Sequence, residues 1–144
     1  MTTAAMHTKG VALKRGDGAG TEVFTLIAEI TSFTGPTETA KQIDVTSFDS
    51  TSREFIGGLR DGGEISIEFN FVGKNAQQQG LRSDLANRVK RNFKLLLTDD
   101  PTTPTQVAFA AVLTSFSVKG GVDAAVVGSA SMKLSGDPTW TYAT

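Results

Sequence analysis

The stretch "EISIEFNF", residues 64–71, alternates Ile65, Ile67, Phe69 and Phe71 with Ser66, Glu68 and Asn70. A period of two puts the large apolar side chains on one face of a strand and the polar groups on the other. The chain must therefore build at least one sheet with a dry side and a wet side. The residues just before obey no such rule. "SREFIGGLRDGG", residues 52–63, sets Phe55, Ile56 and Leu59 among Arg53, Glu54, Arg60 and Asp61 and interrupts them with Gly57, Gly58, Gly62 and Gly63. That is too rich in glycine for a stable helix and too apolar for a loop without a task.

Further strands are expected on both sides. "EVFTLIAEI", residues 22–30, aligns Phe24, Leu26, Ala28 and Ile30 on one face. "TSFTGPTET" then serves as a connection, and "KQIDVTSF", residues 41–48, is a second strand with Ile43 and Val45 on one side. The period changes in "NAQQQGLRSDLANRVKRNF", where Leu81, Leu85, Val89 and Phe93 recur every four residues. Asn75 is an N-cap candidate and Asp84 stands four residues before Arg88, so an amphipathic helix is expected from Asn75 to Arg91, with Gly80 weakening its first turn. "FKLLLT" follows, then a "DDPTTPT" turn, then two long runs, "QVAFAAVLTSFSV" and "AAVVGSASMKLSG", joined by "KGGVD". In the first run the apolar parity shifts between Leu113 and Phe116, which predicts a bulge near Thr114. Several strands, one helix and a long closing hairpin make a mainly β fold, a β-sandwich or open barrel with one flanking α-helix. At 144 residues the chain has room for one core. Residues 1–20, small, polar and glycine-rich, read as a flexible N-terminal arm before a single domain over 21–144.

The charge is distributed unevenly. Fourteen bases and fifteen acids give a net charge of -1, which excludes a strongly basic nucleic-acid binder. Between Lys74 and Lys94, however, six bases face Asp84 alone, a local +5 that leaves -6 for the rest. The bases Arg82, Arg88, Lys90 and Arg91 are candidates for a protein-facing surface, because the acidic body is a complementary partner if the molecule meets copies of itself. Catalytic chemistry finds little footing. The one histidine is His7, in the expected arm, and "GDGAGTE" lacks the Lys-Ser/Thr pair of a phosphate loop and precedes a strand. Glu64 with Glu68, and Asp99 with Asp100, read as wet-face and turn residues rather than paired acids. With no cysteine and a single histidine, no cofactor or metal is expected. The N-terminus has no apolar signal region and no run reaches membrane-spanning length, so synthesis in a cytosol is expected.

"IDVTSFDSTSREFIGGLRDGGEISIEFNF", the helix soon after it and the closing "SASMKLSGDPTWT" together resemble the major tail tube proteins of long, non-contractile-tailed bacteriophages, over about Glu22 to Thr141. The resemblance implies a sandwich with one helix, six subunits per ring, inner strands joined into a barrel, and rings stacked into the conduit for genome ejection. It also implies tape-measure, tail terminator and distal tail proteins as partners, double-stranded DNA passing without specific binding, no membrane, and residence in the virion after a period in the host cytoplasm. On this reading the loop from Phe48 to Gly63, with Arg53, Glu54, Phe55, Ile56, Leu59, Arg60 and Asp61, reaches a neighbouring ring, unless its apolar residues fold back on their own core. Glu64, Ser66 and Glu68 then line the lumen, since carboxylates repel phosphates. A small β-barrel module binding nucleic acid or carbohydrate is the alternative.

Overall fold

A computed structural model describes residues 10–100 and 102–144. The part of the expected arm over residues 1–9, His7 included, lies outside them. The rest of that arm is corrected by the first strand, β1 (Ala12–Gly16), whose Leu13 is buried in the core. Its single large apolar residue among small and charged ones gave no periodicity to read.

The expected strand over residues 22–30 divides in two. β2 (Phe24–Leu26) pairs with β1, and β3 (Ile30–Thr34) pairs with β6 (Glu64–Asn70), so part of the expected "TSFTGPTET" connection is strand. Between them only residues 27–29 turn the chain, with Glu29 in the left-handed region at φ 63°. β4 (Thr39–Asp44) and β5 (Phe55–Asp61) form a separate two-stranded ribbon. The helix α1 (Ala76–Asn87) is followed by β7 (Lys90–Leu96), β8 (Gln106–Lys119), β9 (Val127–Leu134) and β10 (Thr139–Thr141). The main sheet runs β2-β1-β7-β8-β9-β6-β3, with β10 also paired to β8.

That order has a geometric consequence. Its two ends, β2 and β3, are consecutive in the chain and separated by three residues, so the sheet must curl until its edges nearly meet. The result is an open barrel whose inner face is the dry face. Ile65, Ile67 and Phe69 of β6 meet Phe93 and Leu95 of β7, Val107, Phe109, Ala111 and Leu113 of β8, and Ala130, Met132 and Leu134 of β9 in one buried cluster. Phe93 stacks on Phe109 with ring centroids 5.6 Å apart. Gly128 lies against the Phe69 ring, where any Cβ would collide. The bulge expected near Thr114 is present, as a register shift between Leu113 and Ser115.

The helix lies beside the barrel and is shorter than the periodicity suggested. Asn75 does cap it, accepting the Gln78 amide at 3.0 Å. It stops at Arg88, which adopts the left-handed C-cap conformation, so Lys90 and Arg91 belong to β7. The four-residue apolar recurrence continued past this point because Val89 and Phe93 belong to the exit turn and the next strand. The face turned to the sheet is partly polar: Leu81 is buried, and so are Gln78 and Asp84. The Gln78 side chain accepts from the Val72 amide at 2.8 Å and donates to the carbonyls of Ala28 and Asn70 at 2.9 and 3.1 Å. It thereby satisfies the Ala28 carbonyl in the 27–29 corner and ties that corner to the end of β6 and the residues after it.

Asp84 does not pair with Arg88 as its spacing predicted. It is clamped by Arg15 of β1, at 2.8 and 2.9 Å, and by Arg91 of β7, whose closest contact is 2.9 Å. Gly80 has its place here, since a Cβ would lie 2.6 Å from the Arg15 guanidinium carbon. Burial pushes the Asp84 carboxyl pKa up, but the hydrogen bonds and charges of Arg15 and Arg91 outweigh it and hold the group below the usual carboxylate value.

Two outcomes follow for stability. Gln78→Leu removes the partner of three backbone groups and should cost about 3 kcal/mol or more in urea unfolding, since each stranded buried group costs roughly 1–3 kcal/mol. Asp84→Ala strands two guanidinium groups and should cost about 3–5 kcal/mol at neutral pH. Because the folded-state pKa is depressed, this contribution is present above the ordinary carboxylate pKa of about 4 and fades as pH falls through the lower folded value. Unfolding curves of wild type and Asp84→Ala should therefore converge in strong acid.

Candidate assembly surfaces

The β4–β5 ribbon corrects the expectation of a loop from Phe48 to Gly63, because residues 55–61 are a strand. Residues 45–54 form its tip. The tip is ordered by its own hydrogen bonds: Asp44 accepts from the Thr46 amide at 2.9 Å, the Glu54 amide donates to the Thr46 hydroxyl at 2.8 Å, and the Ser50 hydroxyl donates to Glu54 at 2.8 Å. The Thr46 hydroxyl and amide hold the Asp44 pKa below its usual value. The ribbon's base is tied to the barrel by Lys133 to Asp61 at 2.8 Å, Arg60 to Asp137 at 2.6 Å and the Trp140 indole to Glu38 at 3.1 Å. Of the remaining charges, Arg53 pairs with Asp44 at 3.3 Å.

Between base and tip the ribbon is bare. Phe55 and Ile56 are about half exposed, Leu59 is 89% exposed and Phe48 fully so. Phe55 and Ile56 are neighbours on one strand and so point to opposite faces, and Ile43 stands opposite Ile56 in the register. An isolated two-stranded ribbon is marginal in water. This one presents apolar groups on both faces and packs neither against its own core.

The outer side of the barrel wall formed by β3, β6, β9 and β8 is wet. Glu64, Ser66 and Glu68 are exposed on it, back to back with buried Ile65, Ile67 and Phe69. The register extends this face across neighbouring strands: Ser66 is opposite Thr34 on β3 and Ser131 on β9, which is opposite Ser115 on β8. A second row runs Ser32, Glu68, Ser129, Ser117. Hydroxyls pair across strands, Ser66 with Ser131 at 3.1 Å and Ser117 with Ser129 at 2.6 Å. The sequence reading found the β6 part of this surface and missed the serines of β8 and β9, although the alternation in "SFS" and "SAS" was there to place them. The face is also less acidic than expected, because Lys133 faces Glu64 in the register. None of the strand residues named on it is aromatic, so it has no platform for stacking bases or sugars.

The basic residues separate. Arg82 and Arg88 are exposed on the helix and its cap, and Lys90 is exposed at the start of β7. Arg91 is corrected: its guanidinium turns inward to Asp84 with 17% of the side chain exposed, and it is no free surface charge. Among the described residues no group of three or more metal-ligating side chains comes together, and no helix is long and apolar enough to cross a membrane.

The same architecture occurs in solved tail structures. The chain is similar to a subunit of the tail of an empty gene transfer agent particle refined with C6 symmetry, at 23% identity and a TM-score of 0.76, covering 95% of this chain and 99% of that one. It is similar to the SPP1 tail tube protein at 13% identity and a TM-score of 0.74, with 96% and 80% covered. A chain of the extended sheath-tube complex of an extracellular contractile injection system matches at 15% identity and a TM-score of 0.72, with 96% and 93% covered. No curated protein matches the sequence. The family described as "Phage tail tube, TTP, lambda-like" matches residues 4–94, more than half of the chain. The chain therefore belongs to the lambda-like phage tail tube proteins, and its role is structural, as a subunit from which a tail tube is built.

Proposed function

We propose that six copies of this chain close into a ring and that rings stack, through the β4–β5 ribbon, into a tube lined by the wet face. The observation that carries this reading is the ribbon itself: it is anchored at its base, apolar on both faces, and uncovered in the single chain. Exposed apolar groups rimmed by charge belong at an interface. The sixfold count is supported by the C6 symmetry of the similar gene transfer agent tail. Arg53, Glu54, Phe55, Ile56, Leu59, Arg60 and Asp61 fall within the inter-ring segment, with Arg60 and Asp61 fixing its base. Arg82, Arg88 and Lys90 face an acidic neighbour. Glu64, Ser66 and Glu68, with the serines of β8 and β9, line the lumen. The part played is mechanical rather than catalytic: a conduit for double-stranded DNA, assembled around a tape-measure protein, closed by terminator and distal tail proteins, resident in the virion and drawn from the host cytoplasm. The unit that assembles is a single domain.

The central experiment images concentrated purified protein by negative stain, and hollow tubes are the expected result. Phe55→Asp should change monomer stability by less than about 1 kcal/mol, because that side chain is already half in water, yet abolish tubes. Ile67→Asp buries an uncompensated carboxylate and should unfold the domain. If Phe55→Asp melts the monomer as Ile67→Asp does, the ribbon is part of its own core and the reading fails.

The lumen assignment makes a separate demand. Glu64→Lys with Glu68→Lys should leave tubes intact and make them retain double-stranded DNA at low salt, with release as salt rises, because phosphate binding frees counterions. Wild-type tubes should retain little. Mutant tubes that bind DNA no better than wild type place these residues on the outer wall.

A further inference from the structure

At the far end of the wet wall the barrel carries an open groove of about 380 Å³, lined by Phe71, Val72, Gln79, Arg82, Phe116 and Val118. Phe71, Val72 and Val118 keep between a third and a half of their surface exposed. A space of this size is within the range that accepts a compact ligand, roughly 300–1,000 Å³, and is ample for one aromatic side chain.

The position of the groove matters as much as its lining. β6 begins at Glu64, immediately after the ribbon rejoins the barrel, and ends at Asn70, immediately before Phe71. Ribbon and groove thus leave opposite ends of one strand, separated by about 20 Å of extended backbone. The ribbon's tip holds Phe48, fully exposed, which the chain's own groove leaves uncovered. The charges are complementary. The tip carries Asp49 and Glu54 against Arg53, with Asp44 at its base, while Arg82 lines the groove, Lys119 follows Val118 and Lys74 lies two residues past Val72.

Resting on the stacked-ring reading, we infer that the groove between α1 and the ends of β6 and β8 is the receptor for the ribbon tip of a second copy, with Phe48 seated between Phe71, Phe116 and Val118 and Arg82 facing the tip's carboxylates. Donor and receptor sit at opposite ends of the molecule, so the contact is heterologous. It does not close on itself and propagates as a stack. The apolar fit supplies affinity, and the charged rim selects the acidic tip over other apolar segments.

The absence of cysteine makes a direct test possible. Ser47→Cys, beside Phe48, and Val118→Cys are prepared as separate proteins, mixed, assembled and treated with a short thiol-to-thiol cross-linker. A 47-to-118 product, mapped by mass spectrometry, is expected in tubes and not in dilute monomer. Ser47→Cys mixed with Ser66→Cys, on the wet face, should give none. Phe48→Ala should leave the monomer's melting unchanged and lower tube yield by about tenfold or more, the scale of one buried aromatic. Tubes that form without the 47-to-118 product overturn the groove assignment and leave the stacked-ring reading standing. Failure of wild-type protein to form tubes overturns both.

Discussion

The three residues between β2 and β3 govern the rest of the molecule. By carrying the chain from one edge of the main sheet to the other, Ile27 to Glu29 force an otherwise open sheet to curl, and the curl turns a row of alternating strands into a vessel with one dry interior. Such a corner removes backbone groups from water: Leu13 and Asn70 answer for Ile27 and Glu29 through the backbone, and Gln78 answers for the Ala28 carbonyl from the helix. The helix is therefore less an apolar lid than a polar brace. Its second brace, Asp84 between Arg15 and Arg91, joins the same helix to β1 and β7. Both are local solutions to one topological demand.

This explains which parts of the fold could be read in the sequence. Where a strand has one dry and one wet side, as in β6, the alternation of Ile65, Ile67 and Phe69 placed its start at Glu64, and the parity change in β8 gave the bulge. β1 was missed because Leu13 is its one buried large side chain and its remaining residues serve partners distant in sequence. The split of residues 22–30 was missed because Ala28 and Glu29 continue a plausible alternation, and only the pairing of the two halves with strands at opposite edges reveals the turn. The helix overran because a four-residue recurrence does not distinguish a helix from a helix followed by a strand when both feed the same core.

The functional surfaces divide in the same way. As surface positions, Glu64, Ser66 and Glu68 were legible because they alternate with core residues, and the exposure of Phe55, Ile56 and Leu59 because their apolarity conflicts with the glycines around them; the use made of either surface is the proposal above. The ribbon's strand character was hidden by those glycines, one of which, Gly58, leaves room for Ile43 and Lys41 of the paired strand. Arg91 was misplaced for a different reason. Sequence reports a charge but not its direction, and Arg91, seven residues from Asp84, shares that carboxylate with Arg15, sixty-nine residues from it, only after the sheet has curled.

The paired hydroxyls of the wet face bear on friction. Ser66 and Ser131, and Ser117 and Ser129, each share one hydrogen bond across strands and along the wall, which leaves one hydroxyl hydrogen in each pair for an outside acceptor. In the tube proposed above, a passing polyanion can take that remaining donor by exchanging a bond to water for a bond to phosphate, so the net change is small. Each grip is therefore nearly free to form and nearly free to release. A surface of this kind drags little, and it does so without needing strong repulsion, which on a narrow wall would tend to push a charged filament against the opposite side.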